Sequence, residues 1–475
     1  MSNNVTARYQ RVLLSPVRRG IDFLAAHPRL RTLGQFAVLF ALFFVVSWRK
    51  LDPDFGWHLQ SGTYIRAHGV PAHDIFSYTA PHFAWINHEW GNDVIVSWLY
   101  GLGGYGLLAA LYAGLWSAAL VVAGCRARLG VLLLAAFAVL PYAGIRPTAW
   151  TVLFLALVFR AIWSSRRWLI WLLPLLFIPW ANIHAGFVIG LGIILYSAAY
   201  YRRPALFGVL GLAALATFVN AYGPRLYVEV ARTLFDPSLH QQIGEWAPLS
   251  FLSLADVFII VWGAGGVLFE ERSMWRWLRP SVLLVLASLS ANRNVPLFVV
   301  SAVAECSRYM GVGAQTLAQS GGKTLRRSLV FAALAIVLIT AYWARSNVWP
   351  PGNREAHYPQ QAVAYLQMHA CDGQLFNDYN YGGYLIWKLP SESVYVDGRM
   401  PSWKDNSGQK YMTRYYDLLA HPAQYQTEFQ RYNIQCVLLG HNRRNAAMVV
   451  HLRDDGWRAA VQTPDSVLLL APVKS

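Results

Sequence analysis

The chain has 475 residues, 56% of them hydrophobic and 13% charged, where soluble domains carry about a quarter charged residues. Its formal charge of +16 does not mark a nucleic-acid binder, because from residue 346 to the end 12 Lys/Arg meet 11 Asp/Glu and the excess sits in the apolar part. Composition therefore excludes an ordinary soluble enzyme and points to a polytopic membrane protein.

In chain order, apolar runs approaching the roughly 20 residues that cross a bilayer fall at 33–50, 105–124, 129–145, 148–165, 168–183, 186–201, 205–221, 251–269, 281–291, 294–307 and 328–345. They predict about 11 transmembrane helices, the pair 281–291 and 294–307 being short. Twenty basic residues cluster on one side of this arrangement, in the amino-terminal segment and in the turns around 126–128, 160–167, 202–203, 272–279 and 308–327; the other side of the same half holds eight. That is the positive-inside asymmetry, with a cytoplasmic amino terminus and residues 346–475 outside. About thirty basic-rich residues precede the first run and no small-residue cleavage site follows it, so it reads as a retained helix rather than a cleaved signal.

Two outward loops are long, about 51–104 and 222–250. The first opens on Asp52-Pro53-Asp54, where the first span ends; carboxylates are costly in hydrocarbon, so these acids belong at the surface or in a wet cavity. Helices are predicted over about 55–68 and 90–103, and Trp57, Trp85, Trp90 and Trp98 suit the headgroup region. Asp54 and His58, four apart, share one helix face, and His88-Glu89 follow in the same loop. An Asp here is also ordinary cap and turn chemistry; the company of His58, His88 and Glu89 favours a site. The remaining outward turns carry Arg146, Asn182-Ile183-His184, Asn220-Ala221-Tyr222, Glu245 and Arg293. Polar groups at that depth face the bundle interior and mark a pathway or site, and a guanidinium fork matches phosphate or pyrophosphate.

The tail begins after a linker at 347–353 and alternates patterns. Helices Gln360–His369, Tyr381–Lys388, Gly408–Leu419 and Tyr425–Tyr432 are interleaved with strands Gln374–Phe376, Ser393–Val396, Cys436–Leu439 and Ser466–Leu470, a small α/β domain. No Gly-rich phosphate loop stands at a strand–helix junction. Cys125 and Cys306 lie at cytoplasmic helix ends; Cys371 and Cys436 lie outside, either as a disulfide or as two thiols.

These parts suggest a chemistry. Outward carboxylates act as general base, or hold a divalent cation such as Mg or Mn between Asp52 and Asp54, and activate an acceptor hydroxyl. Outward basic residues hold the leaving phosphate. The extracytoplasmic side offers no nucleotide sugars, so the donor is read as a polyprenyl-phosphate-linked sugar.

The order of one span, an acid-opened loop, a polytopic bundle and an outward domain resembles the GT-C superfamily of integral-membrane glycosyltransferases. That superfamily includes oligosaccharyltransferases, protein O-mannosyltransferases and the lipid A aminoarabinose transferase. The chain is more similar to a bacterial group of uncharacterised GT-C-like proteins. The stretches that carry this likeness are Asp52-Pro-Asp-Phe-Gly-Trp-His58, Pro71-Ala-His-Asp-Ile-Phe-Ser77, His88-Glu-Trp90, Trp180-Ala-Asn-Ile-His184, Glu245-Trp246, Tyr381-Gly-Gly-Tyr384 and Val396-Asp-Gly-Arg399. The resemblance implies a bacterial inner-membrane enzyme with a periplasmic tail, Asp54 or Asp52 as catalytic acid helped by His58, and a substrate site among Arg146, Arg293, His184, Asn182, His88, Glu89, Glu245 and Tyr222. The tail lacks a Trp-Trp-Asp-type motif, which argues against a protein-N-glycosylating member. The alternatives are a polymerase or ligase using lipid-pyrophosphate-linked oligosaccharide, a lipid-linked substrate flippase, and a tail that binds a partner while the bundle anchors it. A flippase calls for matching charges on both faces and symmetric halves, and neither is seen in the sequence.

Overall fold

The computed structural model describes residues 26–249, 279–317 and 353–472, with positions 337 and 341. The expected spans at 251–269 and nearly all of 328–345 lie outside the described residues, as do the first 25 residues and the linker 347–352. Helix α1 (Pro28–Arg49) starts on a proline at its first turn, where the missing N–H costs nothing. The first loop supplies α2 (Phe55–His68), and α3 (Trp90–Ala123) runs from the loop into the bundle through a kink at Gly103–Gly104. The loop helix and span expected separately at 90–103 and 105–124 thus form one bent element. Then follow α4 (Leu129–Val139), α5 (Thr148–Ile162), α6 (Leu173–Ile183), α7 (Phe187–Tyr200), α8 (Ala205–Ala216), α9 (Arg225–Leu234), α10 (Leu239–Gln242), α11 (Pro280–Ser290) and α12 (Val295–Leu317). Of the described helices, α1 and α3 are long and apolar enough to cross a bilayer; the other apolar ones have 10–17 residues. Around α3 pack α1, α2 and α5, burying Phe43, Tyr112, Trp116 and Phe159 completely.

The tail is a small α/β unit: α13 (Gln360–Met368), β1 (Gln374–Asn377), α14 (Gly382–Lys388), α15 (Tyr411–Ala420), α16 (Tyr425–Tyr432), β2 (Ile434–Gly440), α17 (Arg443–Asp454), β3 (Arg458–Gln462) and β4 (Ser466–Leu470). Its sheet has the order β1-β2-β4-β3, parallel at β1/β2 and antiparallel elsewhere. Cys371 and Cys436 are joined by a disulfide with Cα atoms 6.1 Å apart, so the first of the two states left open by the sequence is the one present. The strand expected at Ser393–Val396 does not form. Val394 instead makes isolated parallel bridges to Leu375 on one side and to Ser77 of the first loop on the other. Helix α17 and strand β3 escaped the sequence reading; β3 is largely exposed and offers little apolar alternation.

That pairing welds loop to tail. Val394 N–H donates to the Phe76 carbonyl at 3.0 Å and Tyr78 N–H to the Val394 carbonyl at 3.2 Å; Thr79 Oγ1 donates to the Tyr395 carbonyl at 2.7 Å. An otherwise open sheet edge is covered by the first loop. Beside it, Gly383 lies so close to the Pro53 carbonyl that a Cβ there would collide with it. The Tyr381-Gly-Gly-Tyr384 motif is therefore a docking surface for the acid-opened turn.

Candidate active site

Asp52-Pro53-Asp54 turns the chain from α1 into α2. Asp54 stands at the N-cap position but its side chain makes no cap hydrogen bond; Oδ1 accepts instead from Trp57 Nε1 at 2.9 Å. The bland capping role is thus not the one it plays. Asp52 Oδ1 accepts the Asp54 N–H at 3.0 Å, and its Oδ2 lies 2.5 Å from Arg146 Nε. Arg146 Nη2 also pairs with Glu245. Arg146 therefore clamps the first loop, the α4–α5 turn and the second loop, with two carboxylates balancing its charge.

A cavity of about 870 Å³ opens in front of this clamp, lined among others by Asp54, His88, Glu89, Arg146, His184, Glu245 and Arg293. Seven residues chosen from distant turns of the sequence thus share one space. Asp52, His58, Asn182 and Tyr222 do not line it. Asn182 is structural: Nδ2 donates to the Ile178 and Val219 carbonyls, both at 2.8 Å, and Oδ1 accepts from Trp90 Nε1 at 3.0 Å. The Tyr222 hydroxyl accepts the Asn87 N–H at 3.0 Å.

Glu89 begins α3 without capping it and faces three imidazoles, with Nε2 of His184 at 3.6 Å and those of His58 and His88 at 3.8 Å. His58 does not pair with Asp54, as its helix spacing suggested. Its Nδ1 sits 2.6 Å from Asp93 Oδ1, and the other Asp93 oxygen accepts from Asn87 Nδ2 at 2.7 Å. Asn87 Oδ1 in turn accepts the Glu89 N–H at 3.0 Å, so one amide orients both halves of the cluster. Asp93 and Asn87 were missed in the sequence; their signal is position alone, one turn after and two residues before Glu89.

The charges follow from burial and neighbours. Burial pushes the Asp54 carboxyl up to about 6, and the nearby Asp52 carboxylate adds to it. Burial also lifts Glu89 to about 7 against the pull of His58. Burial depresses His58, but Asp93 outweighs it and the imidazole reaches about 9. His88 falls to about 4, by burial first and then Arg293. His184 is lowered for the same two reasons. Its Nδ1 accepts the Gly186 N–H at 3.1 Å and lies 2.8 Å from Thr151 Oγ1, which itself accepts from Trp180 Nε1. That fixes the tautomer: Nε2 carries the proton and points toward Glu89 and the cavity. Arg293 is stacked 4.5 Å over Trp246, and burial lowers its pKa. It has no ion pair among the described residues.

Both acids expected to hold a divalent cation already have protein partners. Asp52 is spent on Arg146 and an amide, Asp54 on an indole, and the His184 nitrogen facing the cavity bears a proton. Among the described residues no three His, Cys, Asp or Glu side chains form a group that could hold a metal.

The tail closes the cavity. Tyr379, Gly398, Arg399, Trp403 and Tyr416 line it, and Gly398 packs against the Asp54 carboxylate where a Cβ would collide. Arg399 is held by Asp397 through Nε at 2.8 Å and Nη2 at 2.6 Å, and by Asp74 of the first loop through Nη1 at 2.6 Å. The Val396-Asp-Gly-Arg399 motif thus sets both the wall facing Asp54 and the joint to the loop.

No protein-family profile and no curated protein matches the chain. Solved structures do. The archaeal oligosaccharyltransferase AglB from Archaeoglobus fulgidus, in complex with an inhibitory peptide and a dolichol-phosphate, aligns with a TM-score of 0.57 at 13% identity, over 86% of this chain and 69% of that one. The Archaeoglobus fulgidus oligosaccharyltransferase in complex with zinc and sulfate gives 0.53 at 14% identity, over 86% and 68%. The form tethered to an acceptor peptide with the NVT sequon gives 0.53 at 12%, over 87% and 69%. The chain therefore shares, across most of its length, the fold of the archaeal oligosaccharyltransferase.

Proposed function

We propose that the protein is a multi-pass membrane glycosyltransferase of the GT-C type, moving a sugar from a polyprenyl-phosphate donor to an extracytoplasmic acceptor with inversion. In this reading residues 1–345 form the transmembrane domain and 346–475 the periplasmic domain of a bacterial inner-membrane protein. One observation carries it: a single cavity holds two carboxyls raised toward neutrality and Arg293, a cation without an ion-pair partner among the described residues. Support comes also from the fold, whose solved example binds a dolichol-phosphate and a peptide.

The residues divide the work. Asp54 takes the proton of the acceptor hydroxyl as its oxygen forms the new bond to the anomeric carbon. The bond from that carbon to the phosphate oxygen breaks with its electron pair leaving on the phosphate. Arg293 and the His184 Nε2–H stabilise the charge that develops there. Asp52 and Arg146 position the Asp54 turn, and Asp93 positions His58 beside Glu89. Trp57, Trp85, Trp246 and Trp403 line or flank the space in which a sugar face packs.

The reading is tested with purified protein and a polyprenyl-phosphate sugar in detergent, following release of polyprenyl phosphate. Arg293→Gln is expected to lower turnover about 10²-fold or more, the loss of one transition-state donor, while Arg293→Lys restores part of it. Equal turnover by the Gln variant would remove Arg293 from the phosphate side.

The pH profile follows with its signs. Asp54 must be ionised to accept a proton, so activity rises with pH through about 6. The His58 imidazolium that faces Glu89 is lost as pH rises through about 9, so activity falls there. A bell between these limbs is expected. Asp93→Asn removes the carboxylate that raises His58 and should move the alkaline limb down; an unmoved limb would show that His58 does not report it.

A further inference from the structure

The helices that frame the catalytic cavity carry a second one at their other ends. On α5, Thr148 and Thr151 line the first cavity and Arg160 to Ile162 the second; twelve residues of helix separate the ends by about 18 Å. On α12, Leu297 lines the first and Ala304, Ser307 and Arg308 the second. This second cavity, of about 1140 Å³, is ringed by Arg126, Arg160, Arg166, Arg167, Arg202, Arg203 and Arg308, and no Asp or Glu among the described residues lines it. Glu305, one turn before Arg308, is turned to Ser281 instead, accepting from Oγ at 2.5 Å.

Positive-inside sorting accounts for arginines at helix ends, but not for their convergence on one hollow. Arg202 takes the left-handed conformation, φ 50°, that ordinarily closes a helix, with the Arg203 N–H returning to the Ala198 carbonyl at 2.9 Å, and so turns the chain to present Arg203. A further feature of the same hollow fits a ligand. Arg203 and Arg308 are preset: Arg203 Nη1 donates to the Ile162 carbonyl at 2.5 Å, and Arg308 lies 5.7 Å over Trp163 and 5.6 Å over Tyr201. The wall between them is apolar, Leu169, Ile170 and Trp171, and next to it Trp168, Trp171 and Leu172 are about half exposed. Arginines beside exposed indoles and leucine are the composition of a surface in the headgroup layer. Basic pockets between helices on the cytoplasmic side take phosphate headgroups.

We infer that this cavity is a binding site for the phosphate headgroup of an anionic phospholipid, seated at the bundle end opposite the catalytic cavity. Guanidinium forks from three turns engage the phosphate oxygens, and the acyl chains leave past Trp168 and Trp171. The inference requires the membrane setting of the chain but not its transferase chemistry.

The test uses the full chain reconstituted in phosphatidylcholine vesicles with and without phosphatidylglycerol, then extracted and analysed for retained lipid by native mass spectrometry. Wild-type protein should retain phosphatidylglycerol over phosphatidylcholine. The triple variant R126Q/R160Q/R308Q should retain it at least about tenfold less, the loss that even one charge-assisted contact would give, and R126K/R160K/R308K should keep most of it. Thermal unfolding midpoints should be unchanged in all three, which shows folded protein whether or not the transferase reading holds. Equal retention by the Gln variant overturns the site. Inorganic pyrophosphate that binds as well in detergent and displaces the lipid overturns the headgroup as its ligand in favour of a soluble anion.

Discussion

On the proposed reading, Asp54→Asn is expected to lower sugar transfer by about 10²- to 10⁴-fold, the usual contribution of a general base, and to leave the protein folded. The substitution keeps the side-chain volume, and an amide oxygen still accepts from Trp57 Nε1, which now lies 2.9 Å from Oδ1. Folding should not suffer, because burial and the neighbouring Asp52 already make the Asp54 charge unfavourable. Asp52→Asn separates the two acids. Its charge is engaged by Arg146, so its removal should loosen the clamp and lower thermal stability before it lowers the chemical step. Gly398→Ala offers a third arm, because its methyl would collide with the Asp54 carboxylate from the tail and should depress transfer together with some loss of stability, since loop and tail must part to make room. Single-turnover release of polyprenyl phosphate, paired with thermal unfolding, reads all three. If Asp54→Asn stays within about threefold of wild type, Asp54 is not the base, and Glu89 is the next candidate.

The largest effect on stability is expected at Arg399. Its side chain is 1% exposed and its partners Asp74 and Asp397 are fully buried, and the guanidinium also lies 4.6 Å over Trp85 and 4.9 Å over Phe76. Arg399→Met strands two carboxylates without a counter-charge, which costs about 3–5 kcal/mol for breaking a buried pair. Much of that loss falls on the loop–tail joint, since Asp74 belongs to the first loop and Asp397 to the tail. The same reasoning makes a sharper prediction for the triple change D74N/D397N/R399M. With the charges gone together, most of the lost stability returns, although Asp74 also accepts the Ser77 N–H at 2.9 Å and an amide replaces that bond imperfectly. Limited proteolysis between loop and tail, together with unfolding midpoints, distinguishes the two variants. Equal destabilisation by both would mean that geometry, not charge, holds the joint.

Much of the site was legible because it is built from groups that are expensive to bury. Asp54, His88, Glu89, Arg146, His184, Glu245 and Arg293 stand out in an apolar chain, and all seven do line one cavity. Roles were less legible than membership. A helix spacing of four put His58 with Asp54, yet the imidazole turns across the loop to Asp93, because α2 packs on α3 and brings that carboxylate into reach. Arg146, expected as a phosphate ligand, lines the cavity with two acidic partners that no spacing announced. Arg293 lies over the Trp246 ring and has no such acidic partner among the described residues.

By itself the sequence determined the class of the chain, its apolar helices, the α/β character of the tail and the candidate polar residues. These depend on composition, periodicity and the cost of charge in an apolar setting, all of which are local. Only the tertiary structure decided which partners neutralise which charges. The contact of Arg399 with Asp74 spans 325 positions and that of Arg146 with Glu245 spans 99, and no periodicity encodes either. Tertiary packing likewise turned Ser393–Val396 from an expected strand into the seam between β1 and the first loop. Its consequence for function is the same: the tail supplies the wall against which the Asp54 carboxylate rests.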